Sequence, residues 1–308
     1  MISFTINVKN EIASFDSVKN ENMAMLSAII RNSGKIDKDI TITTENSKVA
    51  RRIYTLISDI YNVAVSIIDK NNNFNRNRLY IITVSDNINF ILNDLGIMDG
   101  NKYLKTVPDY LIDSDEEKRS YLKGIFLACG SVNDPKTSRY HLEFFIDTLE
   151  EATFVNDLLN EYYLNSKVIQ KDKKYMVYIK EAEKIGDFLR MIGANDAVMY
   201  YEDIRIYRDH KNMTNRLNNM EQANIEKIIN TSNEQIKDIE LIYEKLGKEF
   251  LDEKTQEAAT YRIKYPESSL QELSEIMTLE IGKPITKSGL NHRMRRIREL
   301  ANKLKESE

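Results

Sequence analysis

The chain is poor in the residues that build disulfides and metal sites. Its 308 residues include a single cysteine, Cys129, which excludes a disulfide framework. No cysteine or histidine pair has the spacing of zinc ligands, because the three histidines lie far apart, at His141, His210 and His292. We therefore expect a reducing, cytoplasmic location and neither a metal nor a cofactor.

A long apolar run is absent as well. Residues 1–16 alternate polar and apolar side chains and are followed by neither a cleavage site nor an apolar run of about 20 residues. We expect no signal peptide, no membrane span and no membrane partner. The length of the chain allows two domains, since single hydrophobic cores stop growing at roughly 250 to 300 residues.

A basic domain is the third absence. The formal net charge is −4, and lysine plus arginine do not exceed aspartate plus glutamate in residues 1–100, 101–213 or 214–308. Positive charge is concentrated locally instead. Between residues 286 and 305 a single acid, Glu299, stands among seven cations, which are Lys287, Arg293, Arg295, Arg296, Arg298, Lys303 and Lys305. For nucleic-acid binding this distribution matters more than the sum.

The first 200 residues contain one series of elements twice. An apolar helical stretch followed by strand-like and helical segments occupies residues 23–99 and recurs at residues 121–196. The offset is 96 residues for one pair of glycines and 97 for another, namely Gly34 with Gly130 and Gly96 with Gly193. We predict an α+β domain over residues 1–213, built from two αββαββα units related by a pseudo-twofold axis.

The apolar stretches that open the two units carry small residues where large ones would be expected. Ala28 in the first stretch aligns with Gly124 in the second. Two such helices can pack on each other at the axis, because small residues let their backbones approach closely. The alternative for either helix alone is a buried helix that ends in a glycine cap. Recurrence at a fixed offset favours the packed pair.

The composition changes after the second unit. Residues 214–232 are rich in Asn and Glu and sparse in large apolar residues, which predicts a solvated helical or flexible linker. Residues 233–308 regain helical periodicity, and we predict an all-α helix-turn-helix domain there. Ser268 or Ser269 caps its penultimate helix, with Glu272 completing a capping box, and Thr286 caps the last helix.

The last predicted helix is apolar on one side and mostly basic on the other. Its apolar stripe has the spacing of a helix face packed on a core and consists of Leu290, Met294, Ile297, Ala301 and Leu304. A basic outer face fits the major groove of duplex DNA, where arginine bonds guanine and asparagine bonds adenine. A first helix at 270–277 and a long turn at 278–285 would complete the helix-turn-helix. The alternative is a solvated charged helix.

Position along this helix divides the predicted DNA contacts into two groups. Residues within about two turns of the cap and opposite the apolar stripe should reach base edges, namely Asn291, His292 and Arg295. Flanking cations should meet phosphates, namely Lys287, Arg293, Arg296 and Arg298. Thr286 and Ser288 complete the predicted DNA-binding set.

Three segments closely resemble the WhiA family of bacterial proteins: "FTINVKNEIA" (4–13), "YLKGIFLACGSVNDPKTSRYHLEF" (121–144) and "ITKSGLNHRMRRIREL" (285–300). The resemblance spans essentially the full length. It implies an N-terminal domain like a LAGLIDADG homing endonuclease and a C-terminal helix-turn-helix similar to region four of sigma factors. It also implies a nucleoid-associated role, in transcriptional control of sporulation in some bacteria and in cell division and chromosome segregation in others. The Asn-, Ile- and Lys-rich composition favours the second role.

The same resemblance identifies where nuclease chemistry would reside. In homing endonucleases the two motif helices each end in an acid before the final glycine, and this pair holds divalent metals. Here those positions are Ser33 and Cys129, neither of which is a carboxylate. The earlier acid of the motif falls on Arg31 and Leu127. We therefore expect a degenerate metal site and no enzymatic activity.

Two alternatives stay open at this point. Asp37 and Asp134 could replace the missing acids in a metal-dependent endonuclease, although Asp134 precedes a proline in ordinary turn chemistry. The N-terminal domain could instead be an adaptor that contacts RNA polymerase or another regulatory protein. Basic residues on one predicted strand and one hairpin offer only a short track for DNA and consist of Arg76, Arg78, Lys171, Lys173 and Lys174. We expect a monomer.

Overall fold

The computed structural model describes residues 3–71, 78–137 and 139–306. The chain divides into two units, residues 1–208 and residues 209–308, and each is described by itself. None of the described helices is both long enough and apolar enough to cross a membrane.

The first unit contains the predicted duplication. Its first copy follows α1 (Phe4–Ile12) and consists of α2 (Lys19–Ser33), β1 (Gly34–Ile36), β2 (Ile40–Thr44), α3 (Ser47–Tyr61), β3 (Val65–Asn71), β4 (Arg78–Val84) and α4 (Ile88–Asp94). A short ribbon follows, made of β5 (Met98–Asp99) and β6 (Lys102–Tyr103). The second copy consists of α5 (Asp115–Cys129), β7 (Gly130–Val132), β8 (Leu142–Ile146), α6 (Leu149–Glu161), β9 (Lys167–Lys171), β10 (Lys174–Ile179) and α7 (Ala182–Met191).

The two copies form equivalent four-stranded antiparallel sheets. Their strand orders are β1-β2-β4-β3 and β7-β8-β10-β9. The registers correspond, since Ile42 pairs with Ile82 in the first sheet and Phe144 pairs with Val177 in the second. All four of these side chains are buried, as alternation along a half-buried strand requires. The predicted α+β class and the αββαββα order are confirmed.

The central helices α2 and α5 touch, as the small residues predict. A Cβ atom added to Gly124 would lie 2.4 Å from the carbonyl oxygen of Met25 and 2.8 Å from the Cβ of Ala28. Such distances leave no room for a side chain, so Gly124 is required by close backbone approach. Ser27, which directly precedes Ala28 on α2, is fully buried and donates a hydrogen bond of 2.7 Å to the carbonyl oxygen of Leu95.

Each central helix turns directly into a strand at its final glycine. Gly34 and Gly130 have extended backbones with φ near −80°, so they are not left-handed helix caps. Residues 34–36 and 130–132 directly follow the two apolar helices. The structure places them in β1 and β7.

The second unit is helical. It begins within α8, a helix that spans Asn195–Leu246. Its further elements are a short 3-10 turn (Lys248–Phe250), α9 (Glu253–Lys264), α10 (Leu270–Ile281) and α11 (Lys287–Glu306). The predicted linker, residues 214–232, lies inside α8, so of the two alternatives the helical one holds. The division into residues 1–213, 214–232 and 233–308 stays a prediction.

The turn before α11 is shorter than the sequence predicted. The helix expected to end at residue 277 continues to Ile281, and Gly282 then adopts the left-handed conformation with φ of 71°. The amide of Ile285 donates a hydrogen bond of 3.0 Å to Thr278 Oγ1, which fastens the turn back onto α10. Apolar spacing could not show this, because Leu279, in the last turn of α10, is 83% exposed.

Candidate nucleic-acid interface

The core of the second unit fixes the orientation of α11. The amide of Gly289 donates a hydrogen bond of 3.1 Å to Thr286 Oγ1, which caps the helix as predicted. The predicted apolar stripe is confirmed, with Leu304 half-buried and four members buried, namely Leu290, Met294, Ile297 and Ala301. The partners of the stripe come from the neighbouring helices and include Leu273 and Met277 of α10. Burial of one side leaves the opposite side of α11 open.

Four predicted contact residues share that open side, which we call the α11 outer face. Ser288, Asn291, His292 and Arg295 are all exposed and follow one another at intervals of three, one and three residues. Side chains at i, i+3, i+4 and i+7 lie on one side of a helix. Within the described part of the chain, none of the four has a hydrogen-bond or ion-pair partner. The face therefore offers an amide, an imidazole and a guanidinium for contacts outside the chain.

The predicted phosphate contacts differ from this face, because three of the four are tied to other parts of the unit. Arg293 is only partly exposed and donates a hydrogen bond of 3.1 Å to the carbonyl oxygen of Lys254. Arg296 pairs with Asp252 at 2.7 Å, and Arg298 lies 3.9 Å from Glu234 with both side chains exposed. Lys287 is exposed and has no partner among the described residues.

The acids that hold these cations were missed in the sequence. Asp252 precedes α9 and Glu234 lies on α8, so each is more than 40 residues from its partner. No local pattern connects residues at that separation. A hydrogen bond from Thr255 and then the charge of Arg296 lower the pKa of Asp252, which stays ionised.

Two further interactions hold α9 and α10 together beneath α11. Arg262 is buried and donates a hydrogen bond of 2.6 Å to the carbonyl oxygen of Ser268, just before α10 begins. Tyr265 donates a hydrogen bond of 2.7 Å to Glu280, which also pairs with Lys264. These hydrogen bonds, together with one from Tyr261, lower the pKa of Glu280 to about 2. Neither interaction follows from sequence spacing.

Ser33 and Cys129, which stand at the positions of the endonuclease acids, bond to their own helices. Ser33 Oγ donates to the carbonyl oxygen of Ile29 at 2.8 Å, and the Cys129 thiol points to that of Ile125 at 3.5 Å. Both side chains are thus turned to their own helices. Nowhere in the described ranges do three His, Cys, Asp or Glu residues form a group that could hold a metal. These residues do not fit the divalent metals of the endonuclease fold, which take carboxylate oxygens.

A cation lies at the end of α5 instead. Lys9 Nζ donates a hydrogen bond of 3.1 Å to the carbonyl oxygen of Leu127, where the helix dipole is negative. Burial lowers the pKa of Lys9 to about 8, against the opposing influence of Cys129. Burial also raises the pKa of the Cys129 thiol to about 12, against the opposing charge of Lys9. Although Cys129 as a residue is only half-buried, a thiol with so high a pKa is typical of a small packed residue rather than of a nucleophile.

Arg31, at the other motif position on α2, links several parts of the first unit. Arg31 donates to the carbonyl oxygens of Gly96 and Leu104, at 2.6 and 2.7 Å. Its Nε lies 4.0 Å from Glu151, a buried acid that accepts a hydrogen bond of 2.6 Å from Tyr121. Burial raises the pKa of Glu151. The pair joins the two copies of the repeat, since Arg31 belongs to the first and Glu151 to the second.

The remaining acids and cations named from the sequence that the structure describes occupy turns and strand ends. Asp134 accepts hydrogen bonds from the amide of Lys136 and the hydroxyl of Tyr200, at 2.9 and 3.3 Å. Among the basic residues, Lys174 pairs with Asp147 at 2.8 Å, and Arg78 lies 3.6 Å from Asp69. Arg76 lies outside the described residues.

Comparison with known proteins shows which family the chain resembles. The family models of the "WhiA N-terminal LAGLIDADG-like domain", the "WhiA LAGLIDADG-like domain" and the "WhiA C-terminal HTH domain" match residues 19–98, 118–211 and 214–301. A "Probable cell division protein WhiA" of Staphylococcus epidermidis is 41% identical over 313 residues, covering 100% of this chain and 99% of that protein. The chain belongs to the WhiA family.

Other WhiA proteins agree over the same length. A "Probable cell division protein WhiA" of Ligilactobacillus salivarius is 40% identical and covers 100% of this chain and 98% of that one. The crystal structure of full-length DUF199/WhiA from Thermatoga maritima has a TM-score of 0.59 at 24% identity, covering 98% of this chain and 99% of that one. This likeness supports the fold, with a LAGLIDADG-like domain followed by a helical region.

Proposed function

We propose that this WhiA protein is a regulator that binds duplex DNA through α11. It would act in transcriptional control and in cell division and chromosome segregation, whereas family members in other bacteria would act in sporulation. The α11 outer face carries this proposal. It presents Asn291, His292 and Arg295 without partners among the described residues, in the first turns of the second helix of a helix-turn-helix. Residues there contact base edges in proteins of this architecture. The protein would act in the cytoplasm on the nucleoid.

Binding of the full chain to a selected DNA site tests the proposal. DNA fragments enriched from a random library would be labelled, and their affinity measured by fluorescence anisotropy. Asn291→Ala should weaken binding by about 1 to 3 kcal/mol, because it removes a base contact. Asn302→Ala is the matched control, since Asn302 is exposed on the same helix but lies farther from its N-terminus. Equal affinities for both variants would contradict the proposed interface.

We propose further that the first unit has lost nuclease activity, so that the protein is not an enzyme. The inward-turned Ser33 and Cys129 and the ammonium of Lys9 support this. The purified protein should leave supercoiled and linear DNA intact with magnesium or manganese. Metal-dependent cleavage that disappears in Asp37→Asn or Asp134→Asn would assign the metal to those acids and overturn the proposal.

The first unit is proposed to contact RNA polymerase or another regulatory protein rather than DNA. Cations at the ends of its strands are partly neutralised, as in the pairs Lys174 with Asp147 and Arg78 with Asp69. DNA binding requires cations that displace counterions. Crosslinking of the full protein in cells, followed by identification of joined proteins, would test this role. Recovery of DNA joined to the first unit, with no protein, would refute it.

A further inference from the structure

The middle of α8 is helical although neither packing inside the described part of the chain nor helix propensity accounts for it. Every side chain from Asp209 to Lys227 is exposed. Five of these residues are asparagine, which has a poor helix propensity and competes for backbone hydrogen bonds. Helices in proteins are stabilised mainly by packing of an apolar face, and this stretch has no such packing inside the described chain.

The stretch nevertheless carries a seam whose centre is apolar. Residues spaced alternately by three and four positions form one narrow stripe, which we call the α8 stripe: His210, Met213, Leu217, Met220 and Asn224. This spacing is the a/d pattern of a two-stranded coiled coil. Met213, Leu217 and Met220 are 64%, 51% and 59% exposed, although they are large and apolar. The stripe is what would be buried if a second helix lay along α8.

We propose that the α8 stripe pairs with the same stripe of a second copy of this chain, in a parallel two-stranded coiled coil. In this register His210, Leu217 and Asn224 occupy a positions, while Met213 and Met220 occupy d positions. A single asparagine at an a position favours a parallel dimer, because its amide pairs with its symmetry mate.

Charge complementarity selects the same arrangement. Arg216 occupies a g position and Glu221 the following e position, and both are exposed. In a parallel dimer, g of one helix lies beside the next e of its partner, so Arg216 meets Glu221 twice. An antiparallel pair places g beside g and e beside e, which opposes like charges. The self-complementary pair identifies the occupant as a second copy rather than an unrelated helix.

The seam is short, so the dimer is weak. From His210 to Asn224 it covers two heptads, about 22 Å of helix. A weak dimer differs from the monomer that we expected from the sequence, and the oligomeric state of the full chain decides between them. The dimer can be tested independently of DNA binding, because self-association is measured without DNA.

Sedimentation velocity of the full chain between about 1 and 100 µM tests the pairing. The wild type should pass from monomer to dimer over this range. Leu217→Glu should weaken dimerisation by at least about tenfold, because it places two carboxylates in the seam. Ile225→Glu is the matched control: Ile225 is also 51% exposed, lies on the same helix and is outside the stripe. Circular dichroism of both variants checks that the helices remain.

A charge exchange tests the direction of the helices. Arg216→Glu and Glu221→Arg should each weaken the dimer, and the double variant should restore it. A wild type that stays monomeric throughout would overturn the proposal. So would equal effects of Leu217→Glu and Ile225→Glu. Failure of the double variant to recover would overturn the parallel arrangement.

Discussion

The backbone of Met25 and the α-carbon of Gly124 are too close to admit a methyl group between them, since a Cβ on Gly124 would lie 2.4 Å from the Met25 carbonyl oxygen. Gly124→Ala should therefore destabilise the first unit by about 2 to 3 kcal/mol, because the central helices must separate. Chemical denaturation of the full chain, followed by circular dichroism, measures the change.

Gly186→Ala provides the control for that measurement. A Cβ on Gly186 would lie equally close to a neighbour, 2.4 Å, but the neighbour is Glu202 Oε1 at the tip of a flexible side chain. The carboxylate can move, whereas the backbone of Met25 cannot. We expect the Gly186 variant to unfold close to the wild type. A larger loss there than at Gly124 would contradict the close packing of α2 on α5.

The Cys129 thiol should be nearly inert in the folded protein. Its pKa of about 12 leaves very little thiolate at pH 8.5, and the thiolate is the reactive form. Alkylation by iodoacetamide should be about a thousandfold slower in the folded chain than in urea. Mass spectrometry of the labelled chain gives both rates, and Cys129→Ser supplies the unlabelled baseline. Similar rates in both states would show that the thiol is accessible.

Lys9 should make stability rise with pH above about 8. Its pKa is about 8 in the folded state against a usual value of 10.5, so between these values the unfolded chain binds more protons. Unfolding then becomes less favourable as pH increases, by up to about 1.4 kcal/mol per pH unit. Below pH 8 both states are protonated and the contribution is constant. Denaturation of the wild type and Lys9→Met at pH 7 to 10 isolates this residue, and parallel curves would contradict the assignment.

Asp252 should restrain the DNA affinity of α11. Because it pairs with Arg296 at 2.7 Å, Asp252→Asn should free that guanidinium for phosphate. Affinity for all sequences should rise, and the dependence of log affinity on log salt should steepen by up to about 1. Glu253→Gln removes the same charge from the adjacent exposed residue and is the control. Equal effects of the two variants would mean that net charge alone, and not the ion pair, controls binding.

Arg295 and Arg298 should affect DNA binding differently. Arg295 lies on the α11 outer face, whereas Arg298 lies outside it and 3.9 Å from Glu234. Arg295→Ala should cost about 1 to 3 kcal/mol at one position of the site and relax specificity there. Arg298→Ala should weaken all sequences alike and flatten the salt dependence. Binding to a set of single-base variants of the site separates the two outcomes.

Features set by local spacing were predictable from the sequence. The duplication, the packing at Gly124 and the buried side of α11 all follow from periodicity or from residue size. The capping box with Glu272 was expected at Ser268 or Ser269, and the structure has it at Ser269. These signals repeat within a few residues or at one fixed offset. The sequence therefore predicts the fold and the face on which Asn291 lies.

Features set by contacts across the chain were not predictable. The pairing of Arg296 with Asp252 and the bond from Lys9 to Leu127 join residues 44 and 118 positions apart. Cations that look equivalent in the sequence of α11 therefore differ in whether they are already paired inside the unit. Residues 214–232 stayed ambiguous for another reason, because a polar composition fits a solvated helix and a flexible linker equally well.

The hydrogen bonds of Arg31 oppose the return of an acid to its position on α2. This residue stands where the motif has an acid, and it holds the carbonyl oxygens of Gly96 and Leu104 in the segment between the two copies. Returning an acid to this position would leave both carbonyl oxygens without a donor and place a second carboxylate beside Glu151. An acid at position 31 should therefore destabilise the first unit. In this chain, Arg31 therefore contributes to stability at a position where the endonuclease motif has an acid.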